Sequence, residues 1–151
     1  MSDARELVDK LALQPHPEGG WYREIYRSPT RVDTARGSRS AITTIYYLLE
    51  RNQLSRWHVV QADELWHFYG GAPLELLAYD PASRKLVRHE LGHVAVIPSG
   101  VWQAARSLGE YSLVGCSVGP GFEFADFQFT RDLPAHPDHF KGDLAAFVGL
   151  L

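Results

Sequence analysis

Apolar positions along the chain fall into two regimes. Over residues 3–12, Ala4, Leu7, Val8 and Leu11 recur at i, i+3, i+4 and i+7, the spacing of an amphipathic helix. Asp3 with Glu6 three residues on has the form of a capping box. Pro15 and Pro17 forbid continuation of the helix. From Gly19 onward the period shortens, and runs rich in β-branched and aromatic residues alternate with turn signals. These runs predict strands near 20–27, 40–49, 55–60, 64–69, 73–79, 85–91, 93–97, 101–106, 111–118 and 122–129. The breaks between them include Gly70-Gly71, Asp80-Pro81, Pro98-Ser99-Gly100, Leu108-Gly109 and Gly119-Pro120-Gly121.

Many short strands at close, regular spacing predict a sandwich or barrel. No helical segment long enough for a βαβ crossover separates them, which argues against a parallel sheet. Segment 27–39 carries Arg27, Arg31, Arg36 and Arg39 against one acid, Asp33. A solvated hairpin end is the favoured reading, with an anion-binding loop as the alternative. Residues 131–142, with Pro134, Pro137 and Gly142, read as a loop. It leads to a short apolar segment, 143–151, expected to pack on the barrel or on a partner subunit.

The 151 residues fit one domain, able to bury a core without a disulfide or metal. A net charge of −3 argues against a general nucleic-acid binder. Cys116, the sole cysteine, excludes an intrachain disulfide and a multi-cysteine zinc site. The N-terminal stretch has no apolar h-region, and no apolar run is long enough to span a bilayer, so the expectation is a soluble cytoplasmic protein.

Two stretches carry the candidate chemistry. The first is His58-Val59-Val60-Gln61-Ala62-Asp63-Glu64, closed by Gly71; the second is Gly92, then Pro98-Ser99-Gly100 and Gln103. Their spacings resemble the two motifs of cupins, G(x)5HxH(x)3–4E(x)6G and G(x)5PxG(x)2H(x)3N. His16-Pro17-Glu18-Gly19-Gly20-Trp21-Tyr22-Arg23-Glu24, Thr44 to Leu49, Asp63 to Tyr69, Val118 to Phe122 and Asp126-Phe127 sharpen this. Over roughly residues 7–130 the chain resembles the cupin-5 family of small single-domain cupins. The resemblance implies an all-β jelly-roll barrel (a double-stranded β-helix) after a short N-terminal helix, usually a homodimer, with a small-molecule pocket inside.

In a full cupin, two His, one Glu and a third His surround a divalent metal. The His and Glu are expected on adjacent strands of a hairpin, with the last ligand delivered from the opposite side by the Pro-x-Gly turn. This chain departs from that set: Val60 and Gln103 replace two imidazoles, while Asn52 and Ser107 replace the motif's leading Gly and final Asn. A metal, if present, would have His58, Glu64 and Gln103, a weaker set; no cofactor is favoured. His67, three residues from Glu64, is expected to face out of the barrel. Surface positions are expected for His89 and His93, and a structural or solvent role for His136 and His139.

Alternation along the strands places Val60 inward with His58, Trp66 and Phe68 with Glu64, and Val101 and Ala105 with Gln103. His58 and Glu64 are then the candidate catalytic pair. Gln103, Trp66, Phe68, Tyr46, Tyr111, Glu18 and Arg23 are the candidate ligand-binding residues. An imidazole titrates near ~6.5 and suits general acid–base work. Sugar-nucleotide epimerases, structurally related cupins that work without metal, make a sugar- or nucleotide-sugar-directed isomerase or epimerase the first functional expectation. A non-catalytic binding protein and a metal cupin with the reduced ligand set are the alternatives. No nucleic-acid or membrane partner is expected.

Overall fold

The computed structural model describes residues 3–151. Helix α1 (Asp3–Lys10) is followed by strands β1 (Gln14–Pro15), β2 (Trp21–Arg27), β3 (Arg31–Thr34), β4 (Gly37–Ser40) and β5 (Thr43–Glu50). Then come β6 (Leu54–Val60), β7 (Asp63–Gly71), β8 (Leu74–Asp80), β9 (Lys85–Leu91) and β10 (Val94–Ile97). The last strands are β11 (Trp102–Ser107), β12 (Tyr111–Gly119) and β13 (Phe127–Phe129), and helix α2 (His136–Lys141) follows.

The strands form a six-stranded sheet, β1-β2-β5-β12-β7-β10, and a five-stranded sheet, β13-β6-β11-β8-β9, with β3-β4 as a separate hairpin. From β5 to β8 each strand lies in the opposite sheet from the one before, and the same holds from β9 to β13. This winding between two antiparallel sheets is a jelly roll. It corrects one expectation: β6 and β7 do not pair as a hairpin. His58 and Glu64 sit on opposite sheets, and Gln103 lies directly beside His58 on β11.

The inward faces follow the expected alternation. Tyr47, Leu49, Trp66, Val114 and Cys116 of the larger sheet meet Leu74, Leu76, Ala78 and Ala105 of the smaller one, with Phe68 and Val101 packed against them. The outer faces are covered differently. Helix α1 lays Ala4 and Val8 on Leu48, with Tyr46, Tyr111 and Leu113 around them. The chain's end covers the smaller sheet, where Phe140, Leu144 and Leu150 bury Trp57, Tyr79 and Trp102.

Three element boundaries differ from the sequence expectation. Run 40–49 is split, β4 ending at Ser40 and β5 starting at Thr43. Run 122–129 is strand only over its last three residues, because residues 124–126 turn as a 3-10 helix that buries Asp126. The expected loop 131–142 contains α2, whose early Pro137 occupies a position where its missing N–H costs nothing. The arginines of 27–39 have internal partners. Arg39 forms a two-pronged pair with Asp126 at 2.8 and 2.9 Å, Arg31 bonds Ser38, and Arg27 is held by Glu24 and Glu123.

Candidate functional site

The turn between β1 and β2 is folded back into one end of the barrel. Within it His16 N–H donates to Gly20 O, and Gly19 N–H donates to His16 O. Gly19 has a φ of 107°, and any Cβ there would collide with the Leu54 carbonyl oxygen, so only glycine fits. The Tyr47 hydroxyl donates to Gly19 O at 2.5 Å and fastens the turn to β5. The result is that Glu18, 8% exposed, enters the barrel, where Oε1 accepts a hydrogen bond from Ser55 Oγ at 3.1 Å.

Glu18 Oε2 lies 3.7 Å from Nε2 of His58. Nδ1 of His58 is 2.6 Å from the Arg56 carbonyl oxygen, an acceptor only, so the proton sits on Nδ1 and Nε2 keeps a free lone pair. Phe127 stacks on the imidazole with centroids 5.0 Å apart. His16 is fixed as the opposite tautomer: Nδ1 accepts from the Glu18 N–H at 3.0 Å, which leaves the ring proton on Nε2. Burial pushes the His16 imidazole below its ordinary range; Glu18 opposes that and His58 adds to it.

Across the cavity, Glu64 of β7 is 8% exposed. Gln103 connects it to Trp66: the amide nitrogen donates to Glu64 Oε1 at 2.8 Å, and the amide oxygen accepts from the indole N–H at 2.9 Å. The indole can only donate, so it fixes which end of the amide faces Glu64. Burial pushes the Glu64 carboxyl up to about 7; Glu18 adds to the rise, while His58, Gln103 and the Cys116 thiol oppose it. Burial also pushes the Tyr47 phenol and the Cys116 thiol well above their ordinary ranges.

These groups surround one cavity of about 280 Å³. It gathers His58, Glu64, Trp66 and Glu18 from the expected set. It does not gather the others. Gln103 stands behind Glu64, 1% exposed, and acts on the cavity through it. Phe68 packs in the core between the sheets. Tyr46 and Tyr111 face the opposite side of their strands, under α1, where Tyr46 meets Tyr69 edge-on. Arg23 lies on the exposed side of β2 and bonds the Leu11 carbonyl. His67 and His93 lie outside the cavity lining, and buried His139 bonds the Tyr79 hydroxyl under the C-terminal segment.

Sequence reasoning missed His16, Tyr47, Cys116 and the aromatic rim of Phe122, Phe124 and Phe127. Two of these carried a usable signal. Tyr47 shares its parity with Ile45 and Leu49, which register places opposite Val114, Cys116 and Ser112. His16 opens the same turn as Glu18.

A divalent metal is common in barrels of this kind, and the residues here do not fit one. Val60, on the cavity wall, has no donor atom. The amide oxygen of Gln103 is taken by Trp66, and its NH2 faces the carboxyl that would be its fellow ligand. Among the described residues no three His, Cys, Asp or Glu side chains cluster as a metal site.

A jelly roll wound between two sheets, with a polar cavity at the His58, Glu64 and Gln103 positions, defines a cupin. The chain belongs to the cupin superfamily family designated DUF985, whose model matches residues 5–130. A hypothetical protein from Leishmania major is 31% identical, with a TM-score of 0.82 over 96% of this chain and 98% of that one. A Shewanella oneidensis protein is also 31% identical, with a TM-score of 0.80 over 95% and 96% of the two chains. An uncharacterized protein of Saccharomyces cerevisiae is 26% identical over 86% of this chain and 76% of its own length.

Proposed function

We propose that the cavity binds a small sugar-like molecule and moves protons on it without a metal, in the manner of an isomerase or epimerase. The observation that carries this reading is the pairing of His58 with Glu64 on opposite sheets. One offers an Nε2 whose lone pair is left free by the Nδ1 hydrogen bond, the other a buried carboxyl that holds its proton up to about pH 7. A nitrogen lone pair that can accept a proton and a carboxyl that can give one, on two walls of one cavity, suit removal of a proton from a carbon next to a carbonyl. His58 would take the C–H proton while Glu64 gives its own to the carbonyl oxygen, forming an enediol; His58 then delivers a proton to the former carbonyl carbon and Glu64 recovers one from the neighbouring hydroxyl, which restores both residues and moves the carbonyl by one carbon.

The volume of about 280 Å³ lies at the small end of ligand pockets, which run roughly 300–1,000 Å³, and suits a monosaccharide-sized body. The test is incubation with a panel of aldoses, ketoses and their derivatives in D2O, followed by NMR. Deuterium at a carbon adjacent to the carbonyl, with the rate lowered at least ~100-fold in His58→Gln, is expected. Ligands that bind and return unlabelled would make the protein a binding module instead.

A further inference from the structure

The cavity's charge is lopsided. Four carboxyls line it, Glu18, Glu24, Glu64 and Glu123, against one guanidinium, Arg27, and no lysine. That guanidinium is already committed. It contacts Glu24 at 2.7 and 3.3 Å, Glu123 at 3.1 Å and the Phe122 carbonyl oxygen at 3.0 Å. The rim acids therefore share one cation; among the described residues neither deep acid meets a lysine or arginine, and Glu18, whose neighbours are Ser55 and His58, is the deep carboxylate left for a cation while Glu64 keeps its proton. Histidines apart, nothing in the cavity is left to neutralise an anion.

The walls add a second, independent feature. Tyr22, Tyr47, Trp66, Phe122 and Phe127 line the same cavity as the deep acids. Ring faces carry negative potential and attract a cation held within about 6 Å of their centres. A desolvated carboxylate in a cavity lined by aromatic rings is a receptor for an ammonium group. It is a poor receptor for a phosphate, which would meet uncompensated negative charge in a low-dielectric site.

Accepting that this cavity is the ligand site, we infer that its occupant carries a protonated amine on a monosaccharide-sized body, and that phosphorylated and nucleotide-bearing forms are excluded. Glu18 supplies the counter-charge, since it is buried at the cavity wall and held in place by Ser55. The aromatic rim closes around the apolar face of the ligand.

The experiment uses the full chain and three matched probe sets. These are D-glucosamine, D-galactosamine and D-mannosamine, each with its N-acetyl and its 6-phosphate counterpart. Binding is followed by NMR titration of the Trp66 indole N–H, which lines the cavity and bonds Gln103. At least one free amine is expected to shift this resonance with an affinity at least tenfold above its N-acetyl form. The matching 6-phosphate is expected to bind at least tenfold more weakly than the free amine. Glu18→Gln, nearly isosteric, should abolish the preference for the amine over the N-acetyl form while leaving the thermal midpoint within a few degrees. Phosphates or N-acetyl sugars that shift Trp66 as well as the amines do would overturn the charge inference while the cavity stands as a ligand site. If no probe of any charge shifts Trp66, the amine inference is overturned; deuterium exchange with other carbonyl compounds then decides the broader reading separately.

Discussion

Glu64 is where burial and function pull against each other. Its carboxyl titrates at about 7 against an ordinary 4.5 because the barrel wall removes its water and Gln103 and Cys116 return only part of that solvation. The folded chain therefore holds a proton at Glu64 between those two pH values that the unfolded chain has released. Stability falls as pH rises through this window and levels off above it. The shift is worth up to about 3 kcal/mol. Glu64→Gln cannot ionise, so the difference in unfolding free energy between variant and native chain should widen from pH 4.5 to 7, with the variant favoured at the upper end. Denaturant unfolding at several pH values checks this. A difference independent of pH would mean that Glu64 titrates in the folded chain as it does in the unfolded one.

At the scale of elements, the β1–β2 turn brings His16 and Glu18 into the cavity. Its geometry rests on Gly19, whose left-handed backbone and closeness to Leu54 leave no room for a side chain. Gly19→Ala is expected to cost more than ~1 kcal/mol from the backbone alone. Displacement of the turn also moves Glu18 away from His58 and Ser55. Thermal unfolding, together with the chemical shift of the Trp66 indole, separates the two effects. A variant with native stability and native shift would show that the turn tolerates a side chain.

The same turn shows what a sequence can and cannot reveal. Strand parity was legible: His58, Glu64 and Gln103 all face inward because period-two alternation fixes a face once one position is known. Which strands meet was not legible. Pairing between β6 and β11, and the separation of β6 from β7, depend on contacts distant in sequence. Tyr46 and Tyr47 illustrate the limit. Adjacent tyrosines must face opposite sides, and the one that enters the cavity is set by its register with β12 and by α1 covering the other face. The partner of Gln103 was likewise hidden, because the amide's orientation follows from an indole on the opposite sheet.

At the scale of the whole molecule, the barrel depends on its terminal coverings. Removal of the C-terminal segment from Leu133 onward would expose Trp57, Tyr79 and Trp102 and take away Phe140, Leu144 and Leu150. Burial of a large apolar side chain is worth about 1.5–3 kcal/mol, so three of them rival the total stability of an ordinary domain, about 5–15 kcal/mol. The shortened chain is expected to be unfolded or aggregated, read by circular dichroism and size-exclusion chromatography. A soluble, cooperatively folding product would show the segment to be dispensable. No helix among the described residues is long and apolar enough to cross a membrane.

The claim on which the rest turns is that Glu64 is a proton-holding carboxyl in a cavity without a metal centre. Carbon-13 NMR of the Glu side-chain carboxyls as a function of pH, with Glu64→Gln to assign the resonance, measures it directly. Titration of Glu64 at about 7 is the predicted result. Titration in or below the ordinary carboxylate range, as ligation to a cation would produce, would contradict the account.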